Sequence, residues 1–288
     1  MALFDVATQA SNKAPSLAPL LEAAGYPARV CRIIDLGKQP GSAQYPEPQY
    51  KMRVTFELLD EFMKETLEDG TLVMVQDPDE EEGVMMAKNL EDKPRWFDFD
   101  FTYNADGFMG DNSHIARFMK AVDALEVKPN LEQGIQGHPA KPLNTLLGEP
   151  LVVGIVTYTK SAKSKNAGQI ANKIATFSAM KSKDKKAAKP LVNPTLFFNL
   201  GAPDLEAFNK LQGGDSPYAV KNLILNNLDF DGSELQKLLG GTPSQQPATN
   251  TATPEQVDAA LQAELEAQRL AREAASAQNA EGKGDLPF

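Results

Sequence analysis

Apolar and polar side chains alternate from residue 50 to 58. Tyr50, Met52, Val54, Phe56 and Leu58 share one face, and Lys51, Arg53, Thr55 and Glu57 share the other. A period of two with a single apolar face predicts a half-buried antiparallel strand. The period returns at 95–103, where Phe97, Phe99, Phe101 and Tyr103 oppose Trp96, Asp98, Asp100 and Thr102. The phenylalanines belong to a core, which turns Trp96 outward beside two carboxylates. Residues 28–36 are short and β-branched and stop at Gly37 and the Pro40-Gly41 turn, so they predict another strand. Residues 151–160 and 169–178 predict two more, joined by a lysine-bearing hairpin loop at 161–168. Between the third and fourth strands the spacing changes. Ile115, Phe118, Met119, Val122 and Leu125 fall at helical intervals behind a cap at Asn112 or Ser113.

The regions around this core read differently. Residues 1–25 predict a flexible arm with a helical turn near its end. Residues 60–94 form an acidic insertion, a hairpin or long loop, and a polar, proline-containing connection follows the helix. After a basic run at 181–189, Pro194 keeps 191–198 out of a sheet interior and predicts a segment lying along the surface. Three short helices are expected at 204–212, 216–227 and 233–239, the last opening on the capping box Ser233-Glu234-Leu235-Gln236 and ending at Gly240-Gly241. Residues 242–250 are a linker. A helix capped by Thr253-Pro254-Glu255-Gln256 then carries too narrow an apolar stripe (Val257, Leu261, Leu265, Leu270) to fold alone. The domain plan is therefore an arm (1–25), a β domain (26–200), a helical appendage (201–241) and a linker, helix and disordered or helical tail (242–288). The order strand, strand, strand, helix, strand, strand is that of the OB-fold. The expected class is mainly β with α additions: a five-stranded OB-fold barrel with a small helical appendage.

Charge changes the picture. The chain of 288 residues carries a formal net charge of -10, which by itself disfavours nucleic acid. Its distribution reverses that expectation. Nine lysines face one acid, Asp184, between Lys160 and Lys189, whereas sixteen acids face four bases between Glu57 and Asp106. Local charge decides what a surface attracts. The single cysteine, Cys31, excludes an intramolecular disulfide and a cysteine-based zinc cluster and suits a reducing cytoplasm. No apolar run is long enough to predict a membrane span, and the start lacks the pattern of a signal peptide.

Binding a single strand requires cations for phosphates and rings on which bases stack. Arg29, Arg32, Lys51, Arg53, Lys160, Lys163, Lys165 and Lys173 supply the cations, and Trp96 and Tyr158 the rings, on strands or hairpin loops. Catalytic patterns point elsewhere. His114 and His138 have no partners at metal-ligand spacing, and no nucleophile elbow, phosphate loop or dinucleotide fingerprint is present. A calcium-loop start at Asn227, Asp229, Asp231 and Gly232 meets Leu238 where a glutamate is needed. No metal or cofactor is expected. The one nuclease-like alternative would place a divalent metal on Asp98, Asp100 and Glu57.

Two resemblances extend this reading. Asp285-Leu286-Pro287-Phe288 resembles the acidic, Pro-Phe-ending tip of bacterial single-stranded-DNA-binding proteins, with fewer preceding acids than is usual there. Residues 26–198 resemble the bacteriophage single-stranded-DNA-binding proteins. The likeness is carried by Tyr26-Pro-Ala-Arg-Val, Asp35-Leu-Gly-Lys-Gln-Pro-Gly-Ser42, Thr55-Phe-Glu-Leu, Lys93-Pro-Arg-Trp96 and Leu146-Leu-Gly-Glu-Pro-Leu-Val152. The long acidic insertion and the Ala/Glu-rich helix depart from that pattern. The resemblance implies an OB-fold, non-enzymatic coating of single-stranded DNA in replication, recombination and repair. It also implies recruitment of partner enzymes by residues 285–288 in the cytoplasm of a bacterial host; self-association is a separate expectation. The rival in the interaction class is an OB-fold adaptor or recombination mediator that binds proteins instead of DNA.

Overall fold

A computed structural model describes residues 16–41, 45–130, 134–161 and 166–241, all within one compact unit that runs to Pro243. The lysines at 163 and 165, the helix expected from 253 and the tip at 285–288 lie outside the described residues. Strand outweighs helix 42% to 17%, so the protein is mainly β.

The strands are β1 (Ser16–Leu17), β2 (Ala24–Gln39), β3 (Gln49–Glu65), β4 (Met74–Gln76), β5 (Met85–Ala87) and β6 (Asn89–Tyr103). After β7 (Met109–Gly110) and helix α1 (His114–Ala121) come β8 (Leu125–Asn130), β9 (Gly134–Pro139), β10 (Pro150–Thr159) and β11 (Ile170–Ser178). Helix α2 (Ser182–Ala187), β12 (Leu196–Phe198), α3 (Leu205–Lys210), α4 (Val220–Leu225) and α5 (Glu234–Leu238) complete the order.

β2, β3 and β6 form an antiparallel meander, and β10 pairs with the first half of β2 and with β11. The principal sheet therefore runs β6-β3-β2-β10-β11, with β1 on the far end of β3. No ladder joins β6 to β11 among the described residues. Their side chains nevertheless meet. Phe99 and Phe101 of β6 both lie 5.2 Å from Phe177 of β11, ring centre to ring centre. Phe118 of α1 packs on Phe101 at 5.1 Å and on Phe56 of β3 at 5.6 Å. α1 thus plugs the concave side, as its apolar stripe requires, with Ser113 Oγ accepting from Ala116 N as its cap.

β2 serves two cores because its side chains alternate between faces and a bulge between Val30 and Arg32 shifts their phase. Val30 and Ile33 enter the core beneath the sheet, while Ile34 and Leu36 enter a second core with Phe198, Phe208, Ile224 and Leu235. The three helices expected at 204–239 form, shorter than their sequence limits, and cover this outer portion of the sheet. Where β10 leaves the edge of β2 at Arg29, β12 takes it over in parallel from Arg32 to Ile34.

Several expectations need correction. Residues 24 and 25 are strand instead of helical turn, because β2 extends back to pair with β10. Of the two forms expected for the insertion at 60–94 the hairpin is the one observed, with β3 and β6 prolonged to Glu65 and Asn89 and β4 paired with β5 beyond them. The polar connection after α1 is a small sheet of order β7-β9-β8, and part of the basic run forms α2. β4, β5 and β7 hold only two or three residues each, too few to show a period of two.

Gly37 sits where β2 meets the appendage, with φ of +70°; an added Cβ would lie 2.8 Å from Asn227 Cγ and from Leu200 Cδ1. Both the conformation and the space demand glycine. Gly37→Ala is expected to destabilise the protein by about 1–3 kcal/mol in denaturant titration. An unchanged midpoint would show that the helical appendage gives way freely at this contact.

Candidate nucleic-acid interface

The outer face of β2, β3 and β6 divides into three parts. The first is closed by the strap at 188–194. Arg29 Nε donates to Lys189 O at 2.7 Å, Nη2 to Ala188 O at 2.9 Å and Nη1 to Gly148 O at 2.5 Å. Glu57, only 1% exposed, accepts from Val192 N at 2.7 Å and from both nitrogens of Asn193 at 3.1 and 2.6 Å. Lys189 Nζ reaches Asp60 at 2.8 Å, and that hydrogen-bonded partner raises its pKa. The Cys31 thiol donates to Pro194 O at 3.7 Å. This confirms the surface course expected for residues 191–194, while β12 adds a short ladder after them. It also commits Arg29 to backbone carbonyls, so that guanidinium holds the strap in place of a phosphate.

The third part lies under the appendage. Between them stays an open cleft of about 370 Å³, lined by Arg32, Arg53, Thr55, Trp96, Asp98 and, from the α3–α4 corner, Gln212 among others. Trp96 is 46% exposed, and the Arg32 guanidinium lies over its ring at 4.4 Å, a cation–π contact that holds the indole flat. Arg53 makes a two-pronged ion pair with Asp100, Nε to Oδ1 at 2.6 Å and Nη2 to Oδ2 at 2.8 Å. That hydrogen bonding raises the Arg53 pKa further. Thr55 Oγ1 donates to Asp98 Oδ1 at 2.6 Å. Lys51 is the next outward residue along β3, opposite Thr102. No carboxylate pairs with Arg32 or Lys51 among the described residues.

A second group sits on the β10–β11 hairpin. Tyr158 is 37% exposed with Lys173 Nζ 5.1 Å from its ring centre. Lys160 closes the hairpin neck through backbone bonds with Gln169 and Gly168. The sequence-predicted residues thus fall into two clusters, Arg32, Lys51, Arg53 and Trp96 on the sheet and Tyr158, Lys160 and Lys173 on the hairpin. Arg29 belongs to neither. Sequence reasoning missed Gln212 and Lys210 on the cleft wall, which reach it only through the packing of the appendage.

The nuclease-like set of Asp98, Asp100 and Glu57 is divided among separate partners. Glu57 binds the strap, Asp100 binds Arg53 and Asp98 binds Thr55. Among the described residues no group of three or more His, Cys, Asp or Glu is placed to hold a metal ion. No helix among them is long and apolar enough to cross a membrane. Compared with known proteins, the chain matches no family model, no curated protein and no solved structure.

Two outcomes test the strap. Arg29→Met removes three charge-assisted bonds to carbonyls and is expected to cost about 2–3 kcal/mol of stability in denaturant titration. An unaltered stability would mean that the strap stands without it. Burial first, then the charge of Glu57, pushes the Cys31 thiol up from 9.0 to about 11. The buried neutral thiol therefore contributes stability that is full below about pH 9 and lost as pH rises through about 11. The stability difference between wild type and Cys31→Ala should shrink across that window, and a flat difference would contradict it.

Proposed function

We propose that this chain is a non-enzymatic single-stranded-DNA-binding protein of the OB-fold type that engages strands without a sequence motif. The observation carrying the proposal is the strand order β6-β3-β2-β10-β11, with α1 between β6 and β10 and the open, basic and aromatic cleft on the β3–β6 face. In the OB-fold the second and third strands and the loops between strands one and two and between four and five take oligonucleotides. Here those positions correspond to β3 and β6, the β2–β3 loop and the lysine-bearing β10–β11 loop. Trp96, fixed by Arg32, offers a stacking surface, and Arg32, Lys51, Lys160 and Lys173 offer charge to phosphates. The resemblance of residues 26–198 to phage single-stranded-DNA-binding proteins supports a role in DNA replication and recombination. The likeness of residues 285–288 to the bacterial tip supports recruitment of partner enzymes.

The test is a titration of Trp96 fluorescence with a single strand containing all four bases, repeated across a salt series. Four cations predict a saturable quench with log K falling against log salt at a slope of about -3. Trp96→Ala should weaken binding by about 1–3 kcal/mol. Absence of any strand binding, together with a salt-insensitive protein partner, would replace this reading with the OB-fold adaptor.

A further inference from the structure

The cleft is small, and its floor holds a carboxylate with an unused oxygen beside the Arg53–Asp100 pair. At about 370 Å³ it lies at the low end of ligand-sized pockets and suits one nucleotide unit, not a stretch of strand. Its wall carries Trp96 and Arg32, already arranged as a flat, cationic stack. Its floor carries the Thr55–Asp98 pair. Thr55 donates its only proton to Asp98 Oδ1, so toward the cleft it offers lone pairs alone. Asp98 keeps its second oxygen, Oδ2, without a hydrogen-bond partner among the described residues. The neighbouring Asp100 has both oxygens on Arg53 and so leaves Asp98 as the acceptor facing the cleft.

From this geometry we propose that the cleft beside Trp96 receives a single nucleobase and favours bases bearing an exocyclic amino group over thymine. This rests on the strand-binding reading and deepens it. A carboxylate accepts from the amino group of cytosine, as carboxylates do when they read that base. Thymine offers only a ring N–H flanked by two carbonyl oxygens, which a carboxylate repels. The comparison between the two pyrimidines is sharp because they differ little in size and stacking, leaving the hydrogen-bonding edge to decide. Binding to mixed strands stays free of any motif, since one base position in a bound stretch carries the preference and the phosphate contacts do not.

The experiment uses the full chain and measures affinity for oligo(dC) and oligo(dT) of equal length at one salt concentration. The wild type is expected to prefer oligo(dC) by about tenfold, the scale of one hydrogen bond to a charged group. Asp98→Asn keeps an oxygen for Thr55 and puts an amide N–H₂ where the free carboxylate oxygen was. It should reverse or abolish the ratio, whatever uniform gain follows from removing a negative charge. Equal affinities of the wild type for the two strands, with steep salt dependence, would overturn the base preference and leave strand binding standing. A preference for oligo(dC) that survives Asp98→Asn would also overturn it, by assigning the discrimination to another residue. Failure to bind either strand would remove the strand-binding reading itself.

Discussion

The contact on which the rest of this fold depends is the meeting of Phe99 and Phe101 with Phe177 over Phe118. It brings β6 and β11, the two ends of the principal sheet, against one another without a backbone ladder between them. Aromatic burial replaces the missing hydrogen bonds, since rings of this size supply much of the energy of a small core and prefer tilted and edge contacts of this kind. A sheet bent in this way has a filled concave side. Its outer face is then a broad surface on which residues such as Arg53 and Trp96 are displayed.

That outer face is shared out among three tenants by the chemistry of alternate residues. Where a charged residue is surrounded by backbone it becomes a clamp: Arg29 and Glu57 satisfy polar groups of the strap, and Glu57 disappears from solvent. Where the outward residues are Ile34 and Leu36, helices cover them. Among the described residues of this face, the stretch with neither fate, around Arg32, Thr55 and Trp96, lines the open cleft. The cleft is thus defined as much by what the strap and the helical appendage cover as by the residues lining it.

The alternation of apolar residues made the meander and the outward position of Trp96 legible in the sequence, and helical spacing did the same for α1. Capping at Ser113 and Ser233 located two helix starts to within a residue. The division of labour among the cations was not legible. Arg29 and Arg32 both lie in β2 and look equivalent in sequence, yet carbonyls from residues 148, 188 and 189 claim the first, and an indole from another strand holds the second. Glu57 read as a possible metal ligand for the same reason: a carboxylate on an outward strand position gives no local sign that two backbone amides far along the chain will fill it. Pairing of β12 with β2 was hidden by Pro194, which stands just before the short ladder and not within it.

The handover along β2 has a consequence for how the molecule can be divided. One edge of a single strand is completed first by β10 and then, three residues later, by β12. The segment bearing β12 also leads directly into the helices of the second core, so the appendage is stitched to the sheet by main-chain bonds as well as by side chains. A fragment ending after β11 would bare both the amides of Arg32 to Ile34 and the outward Ile34 and Leu36. An unpaired, apolar strand edge is a template for adhesion between chains. The smallest piece of this protein that keeps that edge paired and those side chains covered is therefore set by the partner of β2, and it reaches to the last turn of α5.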